Sequence, residues 1–566
     1  MRARTVGLLL SALILPAAFM IEGCSDEQGS DGGPSTAPPD PSGFFVERAA
    51  EVGLDFVHHH GGAGRKLLVE TNSAGVAILD YDGDGVLDLI FAQGAALPGF
   101  RGEADFRDRL YRNEGGLRFA DVTDEAGASE EGYTYHIAAP DVDGDGDPDL
   151  YFSNYAENHF RRNDGGRFED ASAEWGANST RWSAAAAFGD FDRDGDLDLY
   201  VANYCDYPLQ HPGCGPIARG EEWRSYCAPD EFPGAMDQLY QNDEGHYVDV
   251  SAASGIEPAD GSALGVVCSD LDDDGDLDIF VANDGRPNFL WSNAGGLRFV
   301  DRAWEACVAV GGHGVSEACM GTDVADVDRD GDFDLIVTNL AVETNTLYAN
   351  RGNAVFSDKS TSSGIALPSK RWVGFGCEFL DIDNDTDVDV LVANGHVIDN
   401  ISMFEPSQTY RQPPQVYVND GAGRFKERGR EYGTYFSGQY VGRGLAVGDL
   451  DDDGDLDVVI AHNNAAAVLL ENRKGNEKAW VGFELRGKAP NTGAIGAKLT
   501  VVSAGVTQIE EVRGTSSYAA FHDLRLHFGL GDQIRVDSVT IRWPTGAVQV
   551  LTDVEAGKYH QVEEPE

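Results

Sequence analysis

The chain has 566 residues, with 96 Asp and Glu against 42 Lys and Arg, a formal net charge of −54. That excess of negative charge excludes nucleic acid and anionic lipid surfaces as partners, because the chain repels polyanions. A hydrophobic fraction of 42% with 10% aromatics excludes global disorder, and at roughly 150 residues per domain the length suits a large repeat array with a satellite.

In chain order, Arg2 and Arg4 precede an apolar run from Val6 to Ile21 broken by Pro16. A short run behind a basic start reads as a secretory signal over residues 1–23, not as a spanning helix, which needs about 20 apolar residues. Ile21-Glu22-Gly23-Cys24 resembles a lipobox with Cys24 as the lipid-bearing first mature residue, although Glu22 departs from the small or apolar residue usual there. The expectation is an exported chain, a surface or outer-membrane lipoprotein anchored only at Cys24, or otherwise a secreted one. Residues 24–43 lack structure-forming apolar residues until their end and read as a flexible linker. In an oxidising compartment, Cys214 with Cys227 and Cys307 with Cys319 are expected disulfides, leaving Cys205, Cys268 and Cys377.

From residue 80 one acidic pattern recurs seven times, DxDxDGxxD followed by an apolar residue. Its carboxylates are Asp80, Asp82, Asp84 and Asp88; Asp141, Asp143, Asp145 and Asp149; Asp190, Asp192, Asp194 and Asp198; and Asp270, Asp272, Asp274 and Asp278. The last three copies place them at Asp326, Asp328, Asp330 and Asp334, at Asp381, Asp383, Asp385 and Asp389, and at Asp449, Asp451, Asp453 and Asp457. Oxygens at positions 1, 3, 5 and 9 with a backbone carbonyl at 7 match the hard-oxygen shell of Ca²⁺, so about seven ions are expected. Four carboxylates this close repel one another without a cation. An EF-hand needs Glu at position 12; here that position is Phe91, Phe152, Val201, Val281, Val337, Val392 or Ile460. The loops therefore join strands. One copy differs, with Thr386 where the other six carry Gly.

Between the acidic loops lies a second repeat, as in LYRNEGGLRFADVT from Leu110 and LWSNAGGLRFVDR from Leu290, which reads as strand, Asn/Gly turn, strand. One acidic loop between two strands plus one hairpin makes a four-stranded sheet, and seven of them predict an all-β, seven-bladed β-propeller over residues 44–476. FFVERAAEVGL from Phe44 is a hairpin's second half and VLLENRKGN from Val468 a first half, so the N-terminal strand is expected to close the ring.

These loops resemble FG-GAP/VCBS repeats, as in the integrin α propeller, and the whole chain resembles the cartilage acidic protein family. The end of the chain is similar to the ASPIC/UnbV domain of that family in NTGAIGAKLTVVSAG from Asn491, RGTSSYAA from Arg513 and VDSVTIRWPTGAVQVL from Val536. The resemblance implies extracellular calcium binding and an adhesion or interaction role, and no reaction. By strand and turn pattern, residues 477–566 form a small β domain; the alternative to pure packing is a ligand surface around Arg513, Tyr518, Arg525 and His527.

His58 and Glu70 precede the first acidic loop, and His396 lies in VANGHV. If they converge at one mouth of the channel, a transition-metal or ligand site follows; the bland reading is hydrogen-bonded loop residues. No GxSxG or HExxH motif occurs. The insertion from Cys205 to Met236, with Trp223 and Tyr226, is the candidate surface for a protein or glycan ligand. The leading expectation is a non-enzymatic calcium-binding recognition module. The alternatives are a calcium-dependent polysaccharide lyase using His58, His59, His60 or His396, and a purely structural envelope protein.

Overall fold

The computed structural model describes residues 43–566 apart from 244 and 257–259; the signal segment, Cys24 and nearly all of the linker lie outside the described residues. The architecture is all-β. Taking the unit at 263 as the pattern, an inner strand (Ala263–Ser269) enters the acidic loop and returns as Asp278–Asn283; Phe289–Asn293 and Phe299–Asp301 then follow, all antiparallel. Seven sheets of this kind occur among the described residues. The second strands, DLYVAN at 198–203 and DIFVAN at 278–283, are buried throughout, which explains why they read as apolar runs and not as an alternating pattern. Small residues recur on the inner strands, as in SAAAAFG at 183–189 and GRGLAVG at 442–448, where backbones pack closely.

Each inner strand packs on the next, and the last (Gly442–Gly448) packs back on the first (Val76–Leu79), so the ring is closed. The closing strand is the N-terminal one. Phe45–Glu47 completes the last sheet by antiparallel pairing with Val468–Asn472, Phe45 opposite Asn472, and the Arg48 guanidinium meets Glu471 at 2.6 Å.

Beyond the ring, Ala479–Arg486 lies between Leu526–Gly531 and Tyr559–Glu563 in one sheet, and Lys498–Ser503 and Arg535–Arg542 are central in a second. Val481, Phe483, Leu499, Val539 and the fully buried Trp543 form its core, which runs without a break into Ile137, Phe152 and Leu199 of the ring. The tail and ring therefore share one hydrophobic core.

The tail also enters the ring. Residues 515–522 are buried, Ser517 and Ala520 completely, and they fill the channel. Ala520 and Phe521 pair in parallel with Val76 and Ala77 of the first inner strand. The others are reached in turn: His136 Nε2 lies 3.0 Å from the Ala520 carbonyl, and Thr515 Oγ1 donates to the Ala186 carbonyl. Ser517 exchanges two backbone bonds with Thr322, the Cys377 N–H donates to Ser517 Oγ, and the Val447 N–H donates to His522 Nδ1. The inner strand at 263–269 packs on the plug without such a bond. Tyr518, 1% exposed, is the largest side chain of the plug; its hydroxyl donates to the Asn72 carbonyl at 2.5 Å, and its ring meets Phe375 edge-on.

One open alternative is decided and one expectation corrected. Arg513, Tyr518, Arg525 and His527 do not form a free ligand surface, because they are packed between tail and ring, with Arg525 on Asp452 and His527 on Asn384. Cys214 and Cys227 are bonded, but Cys307 and Cys319 are both free thiols. Cys307 ends a one-turn helix at φ 65° on the exterior, while Cys319 is 3% exposed in the core.

Candidate metal centres

Each acidic loop is shaped by its own carboxylates before any ion is considered. In the first, the N–H groups of Asp84 and Gly85 donate to Asp80 at 3.1 and 2.9 Å, and the Val86 N–H donates to Asp84. The same contacts recur on Asp190, Asp326, Asp381 and Asp449. Position 6 has positive φ in every copy, 85° at Gly85 and 105° at Gly195, the left-handed region that glycine enters without a Cβ penalty.

The folded loops bring the predicted residues together. Carboxylate oxygens of Asp80, Asp82 and Asp88 lie within 4.8 Å of one another, as do those of Asp141, Asp143 and Asp149, of Asp190, Asp192 and Asp194, and of Asp270, Asp272 and Asp274. The position 9 carboxylates are the most deeply set. Burial, followed by smaller contributions from neighbouring carboxylates, pushes Asp88, Asp149 and Asp334 up to about 8 and Asp198 to about 9. Groups so placed must bind protons or a cation at neutral pH. Buried oxygens of Asp82, Asp270 and Asp278 have no hydrogen-bond donor. Orphaned buried carboxylate oxygens, with oxygen as the only donor element, fit a hard divalent cation.

Thr386 adopts φ 84°, which a β-branched residue tolerates at a cost of about 1–3 kcal/mol. Lys478 also holds its ammonium 3.6 Å from Asp383 and 3.7 Å from Asp385 in that loop. The loop from Asp381 is therefore expected to fill last as Ca²⁺ is raised, and Thr386→Gly to bring it closer to the other six. Site-resolved occupancy in crystals at sub-saturating Ca²⁺ measures this, and equal filling of all seven loops would sink the idea.

Sequence reasoning missed how the loops are tied together. The hairpin Asn, read as a turn residue, works across blades. The Asn350 N–H donates to Asp334 Oδ1 at 2.8 Å, while its amide donates to the Phe333 carbonyl and to Leu271 of the neighbouring unit. Asn163, Asn293, Asn419 and Asn472 make the same reach to Tyr81, Phe191, Val327 and Ile382. Asn113 closes the circle on Leu450. The signal was an Asn at one fixed place in every repeat.

The tail covers this acidic face. Arg542 pairs with Asp270, Lys498 with Asp273 at 3.0 Å, and the hydroxyls of Thr492 and Tyr559 donate to Asp141 and Asp449.

At the other mouth, His58, Glu70 and His396 share one end of the channel but do not form a ligand set. The Asn464 N–H donates to His58 Nδ1 and the Ile398 N–H donates to His396 Nδ1, so in each neutral ring the proton sits on Nε2 and the Nδ1 lone pair is already engaged. Burial lowers both, His58 well below its usual value and His396 to about 4, with Arg443 adding to the effect on His396. Glu70 accepts from the Leu67 N–H at 3.0 Å and from the Tyr226 hydroxyl at 3.3 Å. Arg443, which the sequence reading passed over, is fully buried and donates to the carbonyls of Thr71, Gly395 and Gly442. Above it three segments meet. Asn400 donates to the Glu222 and Arg224 carbonyls, Trp223 meets Phe404 edge-on at 5.8 Å, and Lys66 pairs with Asp399.

A closed ring of four-stranded sheets with a carboxylate cage at each inner turn defines a repeat-built β-propeller. The chain belongs to the FG-GAP-like repeat family, whose model matches residues 80–152, 141–201, 270–337, 326–392 and 404–481, and its residues 487–566 match the ASPIC and UnbV family. It is similar to cartilage acidic protein 1 of Xenopus tropicalis, 29% identical over 283 residues, 48% of this chain and 40% of that protein. The human cartilage acidic protein 1 is 26% identical over 323 residues, 56% of this chain and 45% of that protein. The chain thus spans less than half the length of these curated relatives. Among solved structures, an Agrocybe aegerita lectin is 16% identical with a TM-score of 0.36, covering 65% of this chain and 84% of its own. The rhamnogalacturonan lyase YesW is 12% identical with a TM-score of 0.37, covering 71% and 72%. Both likenesses are remote.

Proposed function

We propose that the protein is an exported, non-enzymatic recognition module, a Ca²⁺-stiffened propeller that binds a protein or glycan on the face opposite its acidic loops. One observation carries this reading: the tail occupies the channel and the acidic face, so the long decorated loops at 205–236 and 395–414 stand on the face that remains. Seven Ca²⁺ ions in the Asp cages would stiffen the ring that carries those loops from its opposite face, and the cages' orphaned oxygens support the assignment. The basic, apolar N-terminus supports export, and Cys24 a lipid anchor. Against the lyase alternative, His58 and His396 have their Nδ1 lone pairs engaged and Nε2 protonated, so neither offers a base.

Trp223 and Phe404 are the aromatic contact between the two loops, and such residues anchor ligands. In Ca²⁺, the protein is expected to bind members of an array of immobilised neutral and acidic polysaccharides and extracellular-matrix proteins without releasing unsaturated oligosaccharides. Trp223→Ala with Phe404→Ala should weaken that binding about thirtyfold, the roughly 2 kcal/mol of an aromatic anchor. Unsaturated products would overturn the reading in favour of the lyase, and binding unaffected by the double substitution would move the ligand site elsewhere.

A further inference from the structure

The insertion at 205–236 holds a second cluster of donors, unlike the acidic loops in chemistry. Cys214 and Cys227 are bonded to each other. His211 Nδ1 lies 3.5 Å from Cys227 Sγ, and Glu231 Oε2 lies 3.1 Å from Cys214 Sγ. We propose that on reduction of this disulfide Cys214, Cys227, His211 and Glu231 form a tetrahedral site for a borderline-soft divalent cation such as Zn²⁺.

The geometry favours four-coordination. With metal–sulfur bonds of about 2.3 Å and metal–nitrogen or –oxygen bonds of about 2.0–2.2 Å, the sulfur-to-nitrogen and sulfur-to-oxygen edges of a tetrahedron are about 3.5 Å. The His211–Cys227 separation already has that length and the Glu231–Cys214 separation is slightly shorter; the donor atoms of His211, Cys214 and Cys227 lie within 4.8 Å of one another, the sulfurs must part to about 3.8 Å, and the Glu231 carboxylate must turn in to complete the tetrahedron. The backbone holds the cysteines together independently of their bond, because Cys214 and Ser225 exchange N–H donations at 2.8 and 3.1 Å. His211 is steadied edge-on by Phe232 at 5.2 Å, and Glu231 closes the short helix Pro229–Glu231. Binding gives up one hydrogen bond, from the Gly213 N–H to His211 Nδ1 at 3.2 Å. Two sulfurs and an imidazole select Zn²⁺ over Ca²⁺, which the all-oxygen loops prefer.

The chemistry balances with a dithiol as reductant. Its two sulfurs become bonded to each other, two electrons and two protons pass to Cys214 and Cys227, and both protons leave to solvent when the thiolates take the metal. The insertion is thereby clasped in either redox state, by a disulfide or by a metal.

Co²⁺ is the probe, added to full-length, Ca²⁺-saturated protein that has been reduced with a dithiol and desalted without oxygen. The expected result is one Co²⁺ per chain with thiolate-to-cobalt charge-transfer absorption, absent from the unreduced protein and from Cys214→Ser with Cys227→Ser. His211→Ala and Glu231→Gln should each weaken Co²⁺ by no less than about tenfold, the smallest loss seen when a residue merely behind a ligand is changed. Trypsin should cut the reduced insertion faster than the oxidised one, and Zn²⁺ should restore protection. No charge-transfer band, a band that survives in the double serine variant, or affinity unchanged in both single variants would overturn the proposal. Loss of the native circular dichroism on reduction alone would overturn it as well, because the site needs a backbone that outlasts the disulfide.

Discussion

Chelating Ca²⁺ with EDTA is expected to lower the melting temperature of the chain from residue 43 onward by about 17 °C. At free Ca²⁺ a hundredfold above the dissociation constant, each ion stabilises the folded state by about 2.7 kcal/mol, so seven contribute roughly 19 kcal/mol. Unfolding entropy of about 2.1 cal/mol/K per residue converts this into the stated shift. The pH dependence should invert on chelation. In EDTA the raised values of Asp88, Asp149 and Asp334 mean that the folded state binds more protons than the unfolded chain. Their stabilising effect is complete below the unfolded value near 4 and is lost as pH rises through about 8. The EDTA form should therefore melt higher at pH 5 than at pH 8, whereas the Ca²⁺ form, in which protons compete with the ion, should lose stability on acidification. Scanning calorimetry with elemental analysis measures both, and a melting curve indifferent to EDTA would contradict the cages.

Arg513→Leu should cost about 3–5 kcal/mol at pH 8, the scale of a broken buried ion pair. This arginine stands at the root of the plug, 3.7 Å from Asp323 and from Glu510, and donates to the carbonyls of Val324 and Glu511. Asp323 and Glu511 are each 1% exposed. Burial pushes Asp323 up to about 6 and Glu511 to about 7, even with Arg513 opposing it. With folded values above unfolded ones, these groups favour the fold at low pH and oppose it as pH rises through 6 to 7. Without the arginine the opposition grows, so the deficit should be small at pH 5 and full at pH 8. Denaturant titrations in Ca²⁺ at the two pH values test it; a deficit equal at both would mean that lost packing, not stranded charge, dominates.

The ring was legible because its signals are local and repeated. Carboxylates at fixed offsets, the Asn/Gly hairpins, and the complementary halves at Phe44 and Val468 can each be read without knowing what packs against what. The acidic cages were equally legible, since their geometry is contained within nine residues. Thr386 could be singled out because a β-branched residue at a position requiring positive φ is a local conflict. The plug was not legible. RGTSSYAA carries small residues that suit a turn as well as a channel, and only the sizes of the facing inner-strand residues, spread over seven units, say where it fits. For His58 and His396 the sequence left a ligand site open beside the hydrogen-bonded loop reading, because a backbone N–H that engages Nδ1 can come from two residues away or about four hundred. The Cys307 and Cys319 pairing failed because nearness in sequence does not fix whether two thiols end on the surface or in the core.

The closing strand at Phe45–Glu47 has a temporal consequence. Of the ring's strands this one is synthesised first, yet its partner at Val468–Asn472 appears only after every other blade. Until then the growing protein is an open arc with bare edges at both ends, and the plug that fills its centre follows later still. No arrested or truncated product ending before residue 472 can complete the circle. The protein is thus finished as a whole or not at all, and a protease that meets it early finds an arc with no closed form to retreat into.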